Sequence, residues 1–375
     1  MKTRIILVVA VYQLFLLSSS NACTTFVLKN DSQIVYGRNF DFNIGNGFVI
    51  SNQKGISKYA FVGNEKNLMT WESKYGSISF NQFGKEFPYG GMNETGLVIA
   101  QMYLSQTMYP EIDNRKVISP LQWIQYQLDV SSTVEEVLAS DTIMRISKEV
   151  PVGIHFLVCD SKGKTATIEF INGEMVSHVN EELQIPLLTN NTYEESISYL
   201  KQFDVLGGAN TIKWNNIYDI EWTNDNTLAV NKVFATAANK MMKTQDSSNL
   251  INRAFEVLQC VTINNHTKWS TVFDVTNKMI YFKNENRNVI ITLALEDFEF
   301  DSDKNSILLD IQTAISNNTM TQFIPYSTEI NRDYVYKAFI PLMDSGFIPV
   351  RLPEAVIEAH ARFPETLKIA DRKSN

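Results

Sequence analysis

The sequence of 375 residues is poor in the side chains that bind metals or form disulfide frameworks. It has three cysteines and four histidines, and none of them forms a His-Glu-x-x-His or Cys-x-x-Cys pattern. A Gly-x-Ser-x-Gly turn and a glycine-rich phosphate loop are also missing. These absences argue against a metal site, a disulfide scaffold and a serine–histidine hydrolase, and we predict that the protein uses no cofactor.

The charge pattern excludes a second group of functions. Lysine and arginine total 33 against 41 acidic residues, and the basic residues form no stripe, so we expect no nucleic-acid partner. A hydrophobic content of 44% with 22 phenylalanines is enough for a dense core, which argues against disorder. Beyond the first 22 residues no apolar run reaches the length of a transmembrane helix.

The N-terminus has the layout of a secretory signal. A short basic start is followed by an apolar run over 5–17, and the small residues Ser20 and Ala22 stand three and one positions before Cys23. The run is too short for a permanent anchor. We therefore predict a signal peptide over 1–22 and an exported protein, secreted or periplasmic, without a membrane anchor. Cleavage would make Cys23 the N-terminal residue.

The remaining pattern predicts strands first, then paired helices, then more strands. This order favours an α+β sandwich with helices outside packed sheets. The predicted elements are a hairpin over 24–36, strands near 47–51, 77–80, 97–104 and 154–159, a helix opening at Ser119-Pro120, a helix capped by Thr133, amphipathic helices over 230–241 and 250–258, and a meander over 269–293. The stretch 213–227 is predicted to be a surface loop.

Three short motifs carry a resemblance. Cys23-Thr24-Thr25-Phe26, Gly37-Arg38-Asn39-Phe40-Asp41-Phe42 and Gly91-Met92-Asn93-Glu94-Thr95-Gly96-Leu97 together resemble the choloylglycine hydrolase and penicillin V acylase family of N-terminal-nucleophile cysteine hydrolases. The resemblance implies a four-layer αββα sandwich of two packed antiparallel sheets, and a homotetramer. It predicts a single domain over 23–375 with a divergent C-terminal extension from about 300, where helices are expected over 334–343 and 353–360.

The chemistry of an N-terminal cysteine explains the first two motifs. A free thiol has a pKa of about 8.5 and an α-amino group about 7.7–8.0, so one residue supplies both a nucleophile and its base. By the resemblance, Asp41 orients the amine or thiol, and the charge of Arg38 favours the thiolate and neutralises Asp41. Taken without the resemblance, Arg38 and Asp41 are equally well explained as a surface ion pair. The lesser alternative for Cys23 is a buried strand cysteine in a protein that is cleaved elsewhere.

Three further site residues follow from the resemblance. The side-chain amide of Asn190 and the backbone N–H of Tyr103 are expected to stabilise the oxyanion. Lys232 stands where the family usually has an arginine on a helix, with Arg253 as a weaker substitute, and lysine keeps the charge but not the planar fork. Each also has an ordinary structural explanation: Asn190 as a turn or glycosylated residue, Tyr103 as a core aromatic, and Lys232 as a solvated helix residue.

Three functions remain open at this point. The first is hydrolysis of the non-peptide amide bond of a small N-acyl substrate, such as a conjugated bile salt, penicillin V or an acyl-homoserine lactone, through a Cys23 thioester. The second is an N-terminal-nucleophile dipeptidase, because such enzymes also begin Cys-Thr-Thr. The third is a catalytically silent secreted binding protein of the same fold.

Overall fold

The structure is a computed structural model and describes residues 23–214, 227–243 and 249–370. The predicted signal peptide and most of the predicted surface loop lie outside these ranges. The strands are β1 (Thr24–Lys29), β2 (Ile34–Asp41), β3 (Phe48–Asn52), β4 (Ile56–Tyr59), β5 (Thr70–Glu72), β6 (Ser77–Asn81), β7 (Pro88–Asn93), β8 (Val98–Tyr103), β9 (Lys116–Ile118), β10 (Met144–Ile146), β11 (Ile154–Cys159), β12 (Thr165–Ile171), β13 (Glu174–Val179), β14 (Leu187–Leu188), β15 (Thr267–Asp274), β16 (Met279–Asn284), β17 (Arg287–Ala294), β18 (Ile307–Asp310), β19 (Ile324–Pro325) and β20 (Lys368–Ile369). The α-helices are α1 (Trp123–Val130), α2 (Val134–Ala139), α3 (Tyr193–Leu200), α4 (Thr227–Lys243), α5 (Leu250–Cys260), α6 (Thr328–Asp344) and α7 (Glu354–Arg362).

Two antiparallel sheets form the centre of the molecule. One has six strands in the order β14-β1-β2-β15-β16-β17, and the other has nine in the order β13-β12-β11-β8-β7-β6-β3-β18-β19. The predicted hairpin is β1–β2, which pairs from Thr24 with Asn39 to Lys29 with Ile34. β2 then pairs with β15, a strand more than 200 residues later, and this long-range pairing places the hairpin in the middle of its sheet.

The two sheets face each other across a common core. The Tyr36 hydroxyl on β2 donates to the carbonyl oxygen of Leu157 on β11 at 2.9 Å. The Phe80 ring on β6 lies 6.0 Å from that of Phe273 and 5.5 Å from that of Phe282, both on the opposite sheet. These contacts bury the apolar face of each sheet against the other.

Helices cover the outer faces of both sheets. α4 and α5 pack on β1, β2 and β15, while α1 packs on β7 and β8. The layers are therefore helix, sheet, sheet and helix, which confirms the predicted α+β sandwich. In the described part of the chain, no helix is both long enough and apolar enough to cross a membrane.

One helix start was predicted wrongly. Ser119-Pro120 does not open a helix; the backbone makes a turn in which the Gln122 N–H donates to the Ser119 carbonyl oxygen, and α1 begins at Trp123. The Thr133 cap is confirmed, because its hydroxyl accepts from the Glu136 N–H at 3.2 Å. A serine and a proline satisfy the same local rules in a turn as at a helix start, so this pattern could not separate the two.

Residues 309–370, here called the C-terminal segment, pack against the nine-stranded sheet. β18 pairs with β3, and the predicted helices are present as α6 and α7. The Asn331 side chain accepts from the Lys85 N–H at 2.8 Å and donates to the Ala361 carbonyl oxygen at 2.7 Å. The final strand β20 pairs with β4, so the segment is attached at both ends.

Candidate active site

Cys23 lies directly before β1 and beside the end of β2. Its side chain is buried, and its Sγ donates to the Asp41 carbonyl oxygen at 3.5 Å. The register of the hairpin explains this contact, since Thr24 pairs with Asn39 and the next residues along are Cys23 and Phe40. The first and last residues of the hairpin thus meet, as the sequence predicted for Cys23 and Asp41.

Arg38 connects the two sheets beside this cysteine. Its Nη1 donates to the Tyr89 carbonyl oxygen at 2.5 Å and its Nη2 to the Gln101 carbonyl oxygen at 2.9 Å, both in the nine-stranded sheet. Gly90 makes the approach feasible, because a Cβ at that position would lie 2.9 Å from Arg38 Nη1. Arg38 is 3% exposed, which excludes the surface ion pair considered from the sequence. The carbonyl partners were not predicted, since no side-chain pattern marks a backbone acceptor.

Asp41 is a buried carboxylate with one oxygen in use. Its Oδ1 accepts from the Thr267 hydroxyl, while its buried Oδ2 accepts no hydrogen bond from any residue that the structure describes. Burial raises the pKa of Asp41 to about 7, and the Thr267 hydroxyl and the Arg38 charge oppose that rise. Oδ2 is therefore an acceptor available to a further donor. Thr267 was missed in the sequence because β15 is remote from the hairpin.

The same environment determines the state of the thiol. Burial raises the pKa of Cys23 to about 11, the Asp41 charge raises it further, and Arg38 lowers it. Burial also lowers the pKa of Arg38, while the groups at Cys23, Tyr36, Tyr89 and Asp41 raise it. The thiol is therefore protonated at neutral pH, and it needs a base close by before it can act as a nucleophile.

Asn190 lies across from Cys23 at the edge of the six-stranded sheet. β1 pairs with β14 so that Thr25 faces Leu188 and Phe26 faces Leu187. Continued by two residues, this register places Cys23 opposite Asn190, whose side chain is buried. The structure thus brings together four residues predicted to share a site: Cys23, Arg38, Asp41 and Asn190.

A buried histidine that we did not assign to the site holds the backbone before Asn190. His155 Nε2 is hydrogen-bonded to the Thr189 carbonyl oxygen at 2.7 Å, and His155 Nδ1 lies 3.0 Å from Glu169 Oε1. Glu169 Oε1 also accepts from the Tyr193 N–H at 3.0 Å, at the start of α3. A lone histidine in an apolar strand gives no sequence signal for such a contact.

The other predicted residues lie on β8, α4 and α5. Tyr103 is partly exposed at the end of β8, two residues beyond Gln101, and burial raises the pKa of its hydroxyl.

Lys232 is partly exposed on α4, and its Nζ lies 6.0 Å from the Trp214 ring centroid. Arg253, the weaker substitute, donates to the Met241 carbonyl oxygen at the end of α4. Within the described ranges, no hydrogen bond or ion pair joins Lys232 to Cys23, Arg38 or Asp41. No group of three or more potential metal-ligating side chains occurs in those ranges either.

Comparison with known proteins decides the family. Residues 23–308 match the family described as linear amide C-N hydrolases, choloylglycine hydrolase family. The chain belongs to this family. The match begins at Cys23 and ends within β18, so it includes all six predicted site residues and leaves out the C-terminal segment.

Individual relatives of the family agree with this result. A penicillin V acylase of Pectobacterium atrosepticum is 30% identical over 156 residues, which are 37% of this chain and 41% of that protein. The aligned stretch therefore spans less than half the length of that curated relative. Penicillin V acylase from Agrobacterium tumefaciens has a similar structure, with a TM-score of 0.68 and 21% identity over 81% of this chain and 98% of that chain. A mutant conjugated bile acid hydrolase from Clostridium perfringens gives a TM-score of 0.60 and 19% identity, over 77% of this chain and 96% of its own.

These structural likenesses establish the fold. The penicillin V acylase and bile acid hydrolase structures have the N-terminal-nucleophile hydrolase fold, and this chain shares it. The predicted αββα sandwich is therefore confirmed. The resemblance stated from the three sequence motifs is confirmed.

Proposed function

We propose that the protein is exported, that cleavage after Ala22 exposes Cys23, and that Cys23 then hydrolyses the amide bond of a small N-acyl substrate. The observation that carries the proposal is the buried arrangement of Cys23, Arg38 and Asp41, in which Asp41 Oδ2 still has an acceptor position to fill. An α-amino group on Cys23 would lie next to that oxygen. A carboxylate at this place would orient the amine and stabilise its protonated form.

Each step of the reaction has a residue to perform it. The α-amine takes the thiol proton, and the Cys23 sulfur attacks the amide carbonyl carbon. Collapse of the tetrahedral intermediate breaks the C–N bond, and the α-ammonium returns the proton to the leaving amine. Water then attacks the thioester, which releases the carboxylic acid and restores the thiol. Arg38 supplies a fixed positive charge beside the sulfur throughout.

Asn190 supports the oxyanion step. It stands opposite Cys23 by strand register, and the His155 contact to Thr189 restricts the backbone that carries it. A preorganised donor of this kind contributes roughly 3–4 kcal/mol in known cases. The backbone N–H of Tyr103 is the second proposed donor, and the charge of Lys232 is proposed to act on the site from a greater distance.

The substrate class follows from the family and not from the geometry of one pocket. Relatives are named for penicillin V and for conjugated bile acids, so we propose an acyl amide with an apolar acyl group. Conjugated bile salts, penicillin V and acyl-homoserine lactones are the candidates. The homotetramer remains a proposal based on the family resemblance alone.

The experiment measures amine release by the purified chain that begins at Cys23. The panel holds glycine- and taurine-conjugated bile salts, penicillin V, long-chain acyl-homoserine lactones and dipeptides. Cys23→Ala is the blank, and Cys260→Ala is the matched control, because Cys260 is a partly buried thiol on α5 whose Sγ donates to the Val257 carbonyl oxygen of the same helix. Mass spectrometry of the exported chain establishes whether it begins at Cys23.

The outcomes separate the remaining hypotheses. Release that needs Cys23 but not Cys260 supports the proposal and identifies the substrate. A variant that keeps Ala22 before Cys23 should be inactive, because the base is then an amide. Release from dipeptides alone would replace the proposal with a dipeptidase, and equal activity in the Cys23→Ala variant would refute the mechanism.

A further inference from the structure

Five partly exposed aromatic side chains extend from the candidate active site into the C-terminal segment. We call them the aromatic cluster: Phe42, Phe83, Tyr89, Phe339 and Phe347. Most of the phenylalanines that the structure describes are buried, whereas each of these five side chains is partly exposed. Apolar surface of this kind at the edge of a reactive site is typical of a ligand-binding cleft.

Tyr89 connects the aromatic cluster to the reactive groups. Its carbonyl oxygen accepts from Arg38, and the Arg38 guanidinium carbon lies 6.0 Å from the Tyr89 ring centroid. Burial raises the pKa of the Tyr89 hydroxyl, the Arg38 charge lowers it, and an ionised Cys23 raises it. Phe42 follows Asp41 directly in the chain, so two members of the cluster belong to the site itself.

From Tyr89 the aromatic contacts divide into two branches. In the first, Phe42 lies 6.1 Å from Tyr89 and 5.2 Å from Phe347 between ring centroids. In the second, Phe83 lies 6.0 Å from Tyr89 and 4.9 Å from Phe339. Both branches end in the C-terminal segment, which lies beyond the region that matches the family.

Polar contacts hold the outer rings in place. His360 Nε2 is hydrogen-bonded to the Phe83 carbonyl oxygen at 2.7 Å, and the His360 and Phe339 ring centroids are 5.4 Å apart. Phe339 is on α6, whose Asn331 is bound to the Lys85 N–H and to α7. The Phe339 ring is therefore held in place without a substrate, which reduces the entropic cost of binding one.

We propose that Phe339 and Phe347 form the outer wall of the acyl-binding cleft and select substrates whose acyl group is ring-containing or long. The inference rests on the proposed amide hydrolysis at Cys23. In this proposal the acyl group bound at Cys23 runs past Tyr89, and only an acyl group that extends beyond Tyr89 reaches the two phenylalanines. A short acyl group such as acetyl gains nothing from them.

The test compares two substrates that share one leaving amine and differ in the acyl group, acetyl against phenoxyacetyl. Phe339→Ala and Phe347→Ala should each lower kcat/KM for the phenoxyacetyl amide by roughly tenfold, mainly through KM. The acetyl amide should be hydrolysed at the wild-type rate. Phe323→Ala is the matched control, because Phe323 is a partly exposed phenylalanine of the same segment that packs on Phe298 instead.

Two outcomes would contradict the proposal that Phe339 and Phe347 line the acyl-binding cleft. One is an equal loss on both amides, which would mean that the rings only support the fold. The other is an unchanged ratio of the two rates. To separate this inference from the proposed reaction, phenoxyacetate binding is measured by calorimetry in the Cys23→Ala background. Weaker phenoxyacetate binding after Phe347→Ala in this background supports the proposed cleft even if no amide is hydrolysed. Unchanged binding refutes it.

Discussion

The hairpin of β1 and β2 and the C-terminal segment contribute to one site but are held in place differently. The hairpin is paired on both sides within its sheet, and its functional side chains are polar and almost fully buried, with Arg38 3% and Asp41 4% exposed. The C-terminal segment reaches the site through partly exposed rings and a few hydrogen bonds. Directional polar contacts specify one geometry, whereas ring contacts tolerate exchange.

This difference predicts a division of roles. A change in the hairpin should lower turnover of every substrate, because it alters the thiol and its charges. A change in the C-terminal segment should alter which acyl groups are accepted and how the segment responds to pH. Four measurements test whether the two regions have these separate roles.

The largest effect is expected for Arg38→Met. The change removes the positive charge beside Cys23 and leaves the Tyr89 and Gln101 carbonyl oxygens without their donor. We expect kcat/KM to fall by about 10³-fold on every acyl amide and the free energy of unfolding to fall by about 3 kcal/mol. Kinetics and urea unfolding measure both quantities. Arg287→Met, which removes an exposed arginine of β17, should change neither.

A selective loss would contradict this prediction. If Arg38→Met affected only long acyl groups, the arginine would belong to substrate recognition and the division between the two regions would fail. Arg38→Lys tests the fork geometry, because lysine keeps the charge but cannot bind both carbonyl oxygens in the same way.

The second largest effect is expected for Asn190, which follows β14, the strand that pairs with β1 of the hairpin. Asn190→Ala should lower kcat by about 10²–10³-fold with little change in KM, because the lost donor acts on the oxyanion. Asn191→Ala is the matched control: its Nδ2 donates to the Thr227 carbonyl oxygen and to Asn231 Oδ1, so it should lower the melting temperature instead. A change confined to KM would show that Asn190 binds the substrate and does not stabilise the oxyanion.

The sequence predicted the hairpin site better than its surroundings, and the reason is the distance along the chain. Cys23, Arg38 and Asp41 lie on one short hairpin, where residue type and spacing are sufficient. Thr267 was missed because the pairing of β2 with β15, more than 200 residues later, brings it to Asp41, and no local pattern encodes that pairing. His155 was missed because its contact with Thr189 joins residues 34 positions apart, and no local pattern encodes that contact. The helices of the C-terminal segment were expected from the sequence over 334–343 and 353–360, and they are present as α6 and α7. The placement of Phe339 and Phe347 was not, because an aromatic residue in a cleft and one in a core look alike in sequence.

The third prediction concerns the pH response of the C-terminal segment. Burial lowers the pKa of His360 to about 4, and its ring stacks on Phe87 at 3.9 Å. The unfolded chain therefore takes up this proton first as pH falls, and stability that is fully present above about pH 6.5 is lost progressively towards pH 4. The shift corresponds to a loss on the order of 3 kcal/mol.

Urea unfolding of the wild type and of His360→Gln at several pH values between 7.5 and 4.5 measures this effect. Glutamine can still donate to the Phe83 carbonyl oxygen but does not titrate, so its stability should fall less steeply. Parallel curves for the two proteins would contradict the assignment. A steeper loss of activity on phenoxyacetyl than on acetyl amides at low pH would tie His360 to the aromatic cluster.

The smallest effect is expected for Lys232, which by the resemblance stands where the family usually has a helix arginine. Its Nζ lies near the Trp214 ring on the partly exposed side of α4, and no described hydrogen bond or ion pair joins it to the hairpin. A partly solvated charge at that distance is screened, so Lys232→Met should lower kcat/KM by less than about tenfold, and by less still at high salt. Lys232→Arg should be close to the wild type. A loss comparable with that of Arg38→Met would show that charges outside the hairpin also control the thiol, and the boundary between the two regions would have to include α4.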